Sequence, residues 1–293
     1  MTKGIVLAGG SGTRLHPSTL AISKQILPIF DKPMIYYPIS ILMQAGIREI
    51  LIISTPHDMP IIKKLLGSGK KFGIDLHYEI QKKPEGLAQS FIIGREFIGQ
   101  SNVCLILGDN FFYGDNVPYT LKAKIKELKP NHASIFGYSV NNPSEYGVIE
   151  LSKSNEVISI EEKPTSPKSN IAQLGLYFYD NNVIDIASEL KPSSRGELEI
   201  TDLNVHYLKE NRLNCHTFDG NFTWFDTGTP EKLLEAANFV QLTQNKKSKH
   251  IGCLEEIAFK NNWIDLAALI KQQEKLNNSD YGNYLKKIIK RIS

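Results

Sequence analysis

The chain has 293 residues, enough for about two average domains or one large α/β unit, and its 41% hydrophobic content supports a core without disulfide or metal staples. A formal charge of +3, from 34 basic and 31 acidic residues, argues against the concentrated basic face of a nucleic-acid binder. Cys104, Cys215 and Cys253 lie far apart with no Cys-x-x-Cys spacing, which argues against a disulfide framework or a structural zinc site and fits a reducing compartment.

The first half alternates short apolar runs with helical patterns. Strands are predicted at 4–8, 49–54, 75–80, 103–107 and 133–140, with helices near 39–45, 60–66, 88–97 and 119–128. Pro38 suits the first position of its helix and Gly46 its C-terminal stop. Near-continuous apolar strands separated by helices imply a parallel sheet covered on both faces. The fold class is therefore α/β, a Rossmann-like, mostly parallel mixed sheet. After residue 140 the rhythm changes: 146–151 and 156–161 read as a hairpin around a polar turn, and 174–179 as a further strand. Helices near 183–190 and 199–210 and strands at 212–218 and 223–225 follow. From Pro230 the pattern is helical with a polar break at 244–249, and Tyr281, Tyr284, Leu285, Ile288 and Ile292 fall on one face of the last helix. Lys286, Lys287, Lys290 and Arg291 form its opposite, solvated face.

The longest apolar runs, such as 103–107, are far below the roughly 20 residues of a membrane span. Residues 5–8 are too short for a signal-peptide core of about 7 residues or more. The expectation is a cytoplasmic protein with no membrane partner.

The strongest chemical signal directly follows the first strand: Leu7-Ala8-Gly9-Gly10-Ser11-Gly12-Thr13-Arg14-Leu15. Glycines let a backbone approach phosphates closely, successive N–H groups form an anion-binding concavity, and Arg14 adds a forked permanent charge. The dinucleotide fingerprint is incomplete, because Leu15 stands where its third glycine belongs. A Walker loop fails too, since Lys71 follows Gly69-Lys70 and Lys64 takes the place of the first glycine. A glycine turn without a ligand remains the plain alternative; Arg14 and the nearby Lys24 weigh against it. Asp109 and Asp226 each follow an apolar strand, where an aspartate serves equally as a turn or N-cap residue or as a metal ligand.

With Ser23-Lys24-Gln25-Ile26-Leu27-Pro28, these residues resemble the signature of the sugar nucleotidyltransferases. The likeness continues through Gly86-Leu87-Ala88-Gln89, Leu107-Gly108-Asp109-Asn110, Glu161-Glu162-Lys163-Pro164, Arg195-Gly196-Glu197-Leu198-Glu199 and Trp224-Phe225-Asp226-Thr227-Gly228. It covers nearly the whole chain and resembles most the members that join dTTP to glucose 1-phosphate, making dTDP-glucose and pyrophosphate. The resemblance implies a catalytic core over 1–229, nucleotide-binding to about 140 and sugar-binding from 141, then a helical tail over 230–293. It further implies a homotetramer with the tail as a candidate interface, a second nucleotide-sugar site for end-product inhibition in many members, and a place in deoxysugar synthesis for cell-surface polysaccharide.

The implied roles carry over by position. Arg14, Lys24 and Lys163 are catalytic cations; Gly9, Gly10, Ser11, Gly12, Thr13, Gln25, Gln81 and Gly86 bind the nucleotide; Asp109 and Asp226 hold Mg²⁺. Gly147, Glu162, Lys163, Gly175, Tyr177, Arg195 and Glu197 belong to the sugar-phosphate side. Read without the resemblance, Glu161-Glu162-Lys163 is a solvated strand end, and Lys163 and Arg195 are surface cations. One departure falls at Gln173-Leu174, just before Gly175, and bears on the hexose pocket. The rival readings are the same chemistry with UTP or another sugar phosphate, and a non-catalytic nucleotide-sugar-binding regulator.

Overall fold

The computed structural model describes residues 1–10, 12–218 and 220–292. The chain opens with β1 (Thr2–Ala8), a small hairpin of β2 (Pro28–Ile29) and β3 (Lys32–Pro33), and α1 (Tyr36–Gln44). Then come β4 (Glu49–Ser54), α2 (Met59–Leu66), β5 (Asp75–Ile80), α3 (Gln89–Ile93), α4 (Arg95–Ile98) and β6 (Asn102–Leu107). The middle holds β7 (Asn110–Tyr113), α5 (Val117–Glu127), β8 (Ala133–Ser139), β9 (Gly147–Leu151), β10 (Val157–Glu162) and β11 (Ile171–Tyr179). After α6 (Val183–Glu189) and α7 (Ile200–Lys209) run β12 (Leu213–Phe218) and β13 (Thr223–Asp226). The tail is α8 (Pro230–Lys247), α9 (Leu254–Lys260), α10 (Leu266–Lys275) and α11 (Asp280–Ile292).

Nine strands form one sheet ordered β10-β9-β11-β6-β1-β4-β5, with β8 also paired to β11 and β12 to β8. β6, β1, β4 and β5 run parallel, as near-continuous apolar strands joined by helices require. β11 runs antiparallel to β6, β8 and β9, so the sheet changes direction where the sequence rhythm changes. Alternation along each strand fills two cores. Val6, Ile52, Ile106 and Phe178 face α1, α2, α5 and α9; Leu7, Leu51, Leu105 and Tyr179 face α3, α4, α6 and α7. Leu254 and Ala258 of α9 belong to the first core, so the tail is packed into the α/β fold and not appended to it. Helix α8 is capped by Thr229 Oγ1, which accepts from Lys232 N at 3.3 Å, and it seats Ala236 and Val240 against Phe111, Ile29 and Tyr37.

Several boundaries differ from the sequence reading. Pro38 stands third in α1, where its missing N–H still costs nothing, while Gly46 stops the helix at φ 89°. The helix expected over 88–97 is broken at Gly94 into α3 and α4. Helix α8 runs through the expected break to Lys247, because polar Gln244 is buried and bonded to Asp31 and to Ile251 N. Ile292 is exposed, although Tyr284, Leu285 and Ile288 of its face are buried and the basic face is solvated. The three cysteines are free, with Cys104 inside the core. No helix among the described residues is long and apolar enough to cross a membrane.

Candidate active site

The chain leaves β1 toward β4 on one side, and β6 lies on the other, so the strand order reverses at β1. In open α/β sheets a crevice forms at such a point, outside the carboxyl ends of the strands. Gly9 and Gly10 follow β1, Gln81 follows β5, and Asp109 lies two residues beyond β6. A cleft of about 190 Å³ opens there, lined by Gly9, Gly10, Lys24, Gln25, Gln81, Gly86, Asp109 and Glu197. The amide of Gln25 is buried, donating from Nε2 to Gly9 O at 3.3 Å and accepting from Ser23 Oγ at 2.5 Å. Gln81 is buried as well and donates to Gln89 Oε1 at 2.7 Å. Both amides are thereby oriented. Gly86 has φ 108°, and a side chain there would also run into the Leu198 backbone, so the position accepts only glycine without strain.

The two carboxylates come together through a short antiparallel pair. β13 lies on β7 with Asp226 opposite Asn110, the residue after Asp109. Thr227 locks the junction: its N–H and its Oγ1 both donate to Asp109 O, at 3.1 and 2.7 Å. Lys24 Nζ forms an ion pair with Asp109 Oδ2, and Asn110 Nδ2 donates to Asp109 Oδ1 at 3.1 Å. Burial alone would raise the Asp109 pKa, but Lys24 and the Asn110 amide hold it below the ordinary carboxylate value. Asp226 moves the other way. Burial and then the Asp109 charge push it up, against the pull of Lys24, Lys232 and Arg14. Two part-buried carboxylates of opposite shift, close enough for the Asp109 charge to act on Asp226 and set among cations, are an arrangement that a hard divalent cation would relieve.

A larger cleft of about 600 Å³ adjoins this pair, and Arg14, Asp109, Asp226, Lys163, Arg195 and Glu197 line it. Gly147, Glu162, Gly175 and Tyr177 line it too. Lys163 has φ 44°, a conformation that costs energy for a residue with a side chain, and its N–H donates to Tyr146 O at 3.0 Å. Arg195 is held among Glu197, Glu162 and Glu199 at 3.1, 3.4 and 3.6 Å. Glu162 also accepts from Thr201 Oγ1 at 2.5 Å. A Cβ on Gly175 would lie 2.7 Å from Asn110 Oδ1, so the backbone there must remain bare.

Of the residues anticipated from sequence, Gly12 and Thr13 line neither cleft. Gly12 O accepts from Thr19 Oγ1 at 2.7 Å, and Thr13 opens a 3-10 turn. Ser11 lies outside the described residues. Sequence reasoning missed Thr227 and the partners of Asn110, whose Oδ1 accepts from Trp224 Nε1 at 2.8 Å and from Gly175 N at 3.3 Å. Their signal was present in the Leu-Gly-Asp-Asn and Trp-Phe-Asp-Thr-Gly blocks, but only strand pairing joins them. A separate cavity of about 480 Å³, between α1, α5 and α9, carries Lys122, Lys247, Lys249 and Lys260 with Asp115 and Glu256.

The sequence profile of the nucleotidyl transferase family matches residues 3–243. A glucose-1-phosphate thymidylyltransferase from Neisseria meningitidis is 52% identical over 99% of this chain and 100% of its own. Among solved structures, a Bacillus anthracis protein assigned as a glucose-1-phosphate thymidylyltransferase shares 40% identity, with a TM-score of 0.75 over 82% of this chain and 95% of its own. A UDP-glucose pyrophosphorylase in complex with UDP-glucose shares 28%, with a TM-score of 0.73 over 83% of this chain and 100% of its own. The chain belongs to the nucleotidyl transferase family and is an enzyme of that class, alongside the thymidylyltransferases that it matches almost end to end.

Proposed function

We propose that this nucleotidyltransferase condenses dTTP with α-D-glucose 1-phosphate to give dTDP-glucose and pyrophosphate. A phosphate oxygen of the sugar phosphate attacks the α-phosphorus; the new O–P bond forms as the bond to the β-phosphate bridge breaks, and pyrophosphate carries off the electron pair. The nucleophile is already an anion near neutral pH, so no general base is needed, and catalysis reduces to alignment and charge neutralisation. One observation carries this reading: Lys24, Arg14 and a pair of part-buried carboxylates stand between a small cleft at the strand ends and a larger, polar one.

In this reading Gly9, Gly10, Gln25, Gln81 and Gly86 take the nucleoside end. Arg14 and Lys24 hold the triphosphate and balance charge at the α-phosphate, while Lys163 and Arg195 grip the sugar phosphate. Gly147, Glu162, Gly175, Tyr177 and Glu197 face the hexose, whose hydroxyls need directional donors and acceptors. Asp109 and Asp226 would hold Mg²⁺, which supplies a Lewis acid for the phosphate oxygens. The opposite pKa shifts of the two carboxylates support that fit.

We assign 1–229 to catalysis and 230–293 to a tail that serves a cytoplasmic homotetramer, and the lysine-lined 480 Å³ cavity to end-product inhibition. The product then feeds deoxysugar synthesis. The test is pyrophosphate release with Mg²⁺ and glucose 1-phosphate, using dTTP, UTP, ATP, CTP and GTP in turn. Preference for dTTP is expected; preference for UTP overturns the base assignment, and no release with any nucleotide overturns the enzyme reading.

A further inference from the structure

Gln173 sits on β11 at the larger cleft with its amide buried, at 6% exposure. A buried amide is costly unless its partners are fixed, and here they form a chain. Tyr179 and Asn204 lie behind it, both fully buried. Tyr179 Oη is 2.5 Å from Asn204 Oδ1, within the range of an O–H···O bond and too short for N–H···O, so the phenol donates and the amide orientation follows. Asn204 Nδ2 then donates to Gln173 Oε1 at 3.2 Å, and Gln173 Nε2 donates to the Tyr177 hydroxyl oxygen at 3.4 Å. The chain ends there, because an oxygen that accepts from Gln173 keeps its own proton for another partner. Burial raises the Tyr177 pKa, so that proton stays in place. Tyr177 and Glu162 both line the cleft.

We propose that Gln173 determines sugar selectivity: through Tyr179, Asn204 and Gln173 the fold presents Tyr177 to the cleft as a one-way hydrogen-bond donor, selecting sugar phosphates with an acceptor oxygen opposite it. The inference rests on the sugar-phosphate reading above and names what that site recognises. A phenol with a free rotor could serve either as donor or as acceptor; one whose oxygen is already engaged offers a proton. A hydroxyl that accepts from Tyr177 satisfies it, and a deoxy position leaves a buried donor unpaired, a loss of about 10–100-fold in kcat/KM.

The experiment compares glucose 1-phosphate with its 2-, 3-, 4- and 6-deoxy analogues as substrates with dTTP, in the native enzyme and in Gln173→Glu. The carboxylate keeps an acceptor toward Asn204 but takes the Tyr177 proton itself, reversing the last link. The native enzyme should reject one analogue by about 10–100-fold. Gln173→Glu should reduce that one penalty to less than about threefold by slowing glucose 1-phosphate, with the other penalties unchanged. Binding of dTTP, followed by calorimetry, reports that the variant is folded. If Gln173→Glu does not bind dTTP, Tyr177→Phe carries the same test, with the same single penalty expected to vanish. Equal change at all four positions, no change, or no discrimination by the native enzyme overturns the inference alone. A native enzyme inactive with every sugar phosphate overturns it together with the function proposed above.

Discussion

Asn110 is 4% exposed, and its side chain joins three parts of the site: Asp109, Gly175 on β11 and Trp224 on β13. Replacing it by leucine keeps the branching at Cγ, adds some volume and removes all three bonds. The Trp224 indole N–H and the Gly175 N–H are then left without an acceptor, at about 1–3 kcal/mol for each buried donor. The 2.8 Å bond to Trp224 belongs toward the upper part of that range and the 3.3 Å bond to Gly175 at its foot. Asp109 keeps its ion pair with Lys24, so its share of the loss is smaller. The expected total is about 3 kcal/mol, or a melting temperature lower by roughly 6–12 °C for a chain of this size. Urea denaturation of Asn110→Leu, Trp224→Phe and the double variant forms a thermodynamic cycle. Because Trp224→Phe removes the donor that Asn110→Leu strands, the double variant should cost about 1–2 kcal/mol less than the sum of the singles. Costs that add to within about 0.5 kcal/mol would show that the indole bond contributes nothing, and would refute the reasoning.

Three further outcomes follow from the same geometry. Asp226 has its folded pKa raised by burial and by Asp109, so between the ordinary carboxylate range and that raised value the folded state binds the extra proton, and stability falls as pH rises. Asp226→Asn should therefore stabilise the metal-free protein at neutral pH, the gain fading as pH drops below the ordinary carboxylate range; urea midpoints against pH check it, and a loss at neutral pH contradicts the assignment. Lys24→Met removes the cation paired with Asp109 and should lower kcat by about 10²–10³ while dTTP binding changes less, as steady-state kinetics and calorimetry would show. Phe111 is fully buried, with ring centroids 5.0 Å from Tyr37, 5.8 Å from Phe225 and 6.0 Å from Phe239. Phe111→Ala should cost about 3–5 kcal/mol in urea denaturation and loosen α8, visible as a weaker near-ultraviolet dichroism signal.

The parts legible in the sequence are those whose signal is local. β1, β4 and β6 are apolar runs of strand length, and the helices between them carry helical periodicity with a glycine stop at Gly46. β7 was not legible, because its four residues follow β6 after only the Gly108-Asp109 turn, too short a run to read as a strand of its own. The two-residue β2 and β3 are too short to carry a period. The end of α8 was misread for the opposite reason: Gln244 looks like a solvated break, yet Asp31, Lys32 and Ile251 satisfy its amide in the interior. The site divides in the same way. Gly9, Gly10, Lys24 and Asp109 stand in contiguous motifs, so they could be singled out from the sequence, although the metal role of Asp109 came only from the resemblance. Their mutual geometry could not, because it comes from the pairing of β7 with β13, which sets Asp226 opposite Asn110 and lets Thr227 fasten the Asp109 backbone. A one-residue slip in that short ladder would turn Asp226 to the other face of the strand pair. The tilted and edge-to-face rings of Phe111 and Phe225, packed against Phe239 of α8, guard that register, so part of the precision of the carboxylate pair resides in a hydrophobic cluster that lines neither cleft.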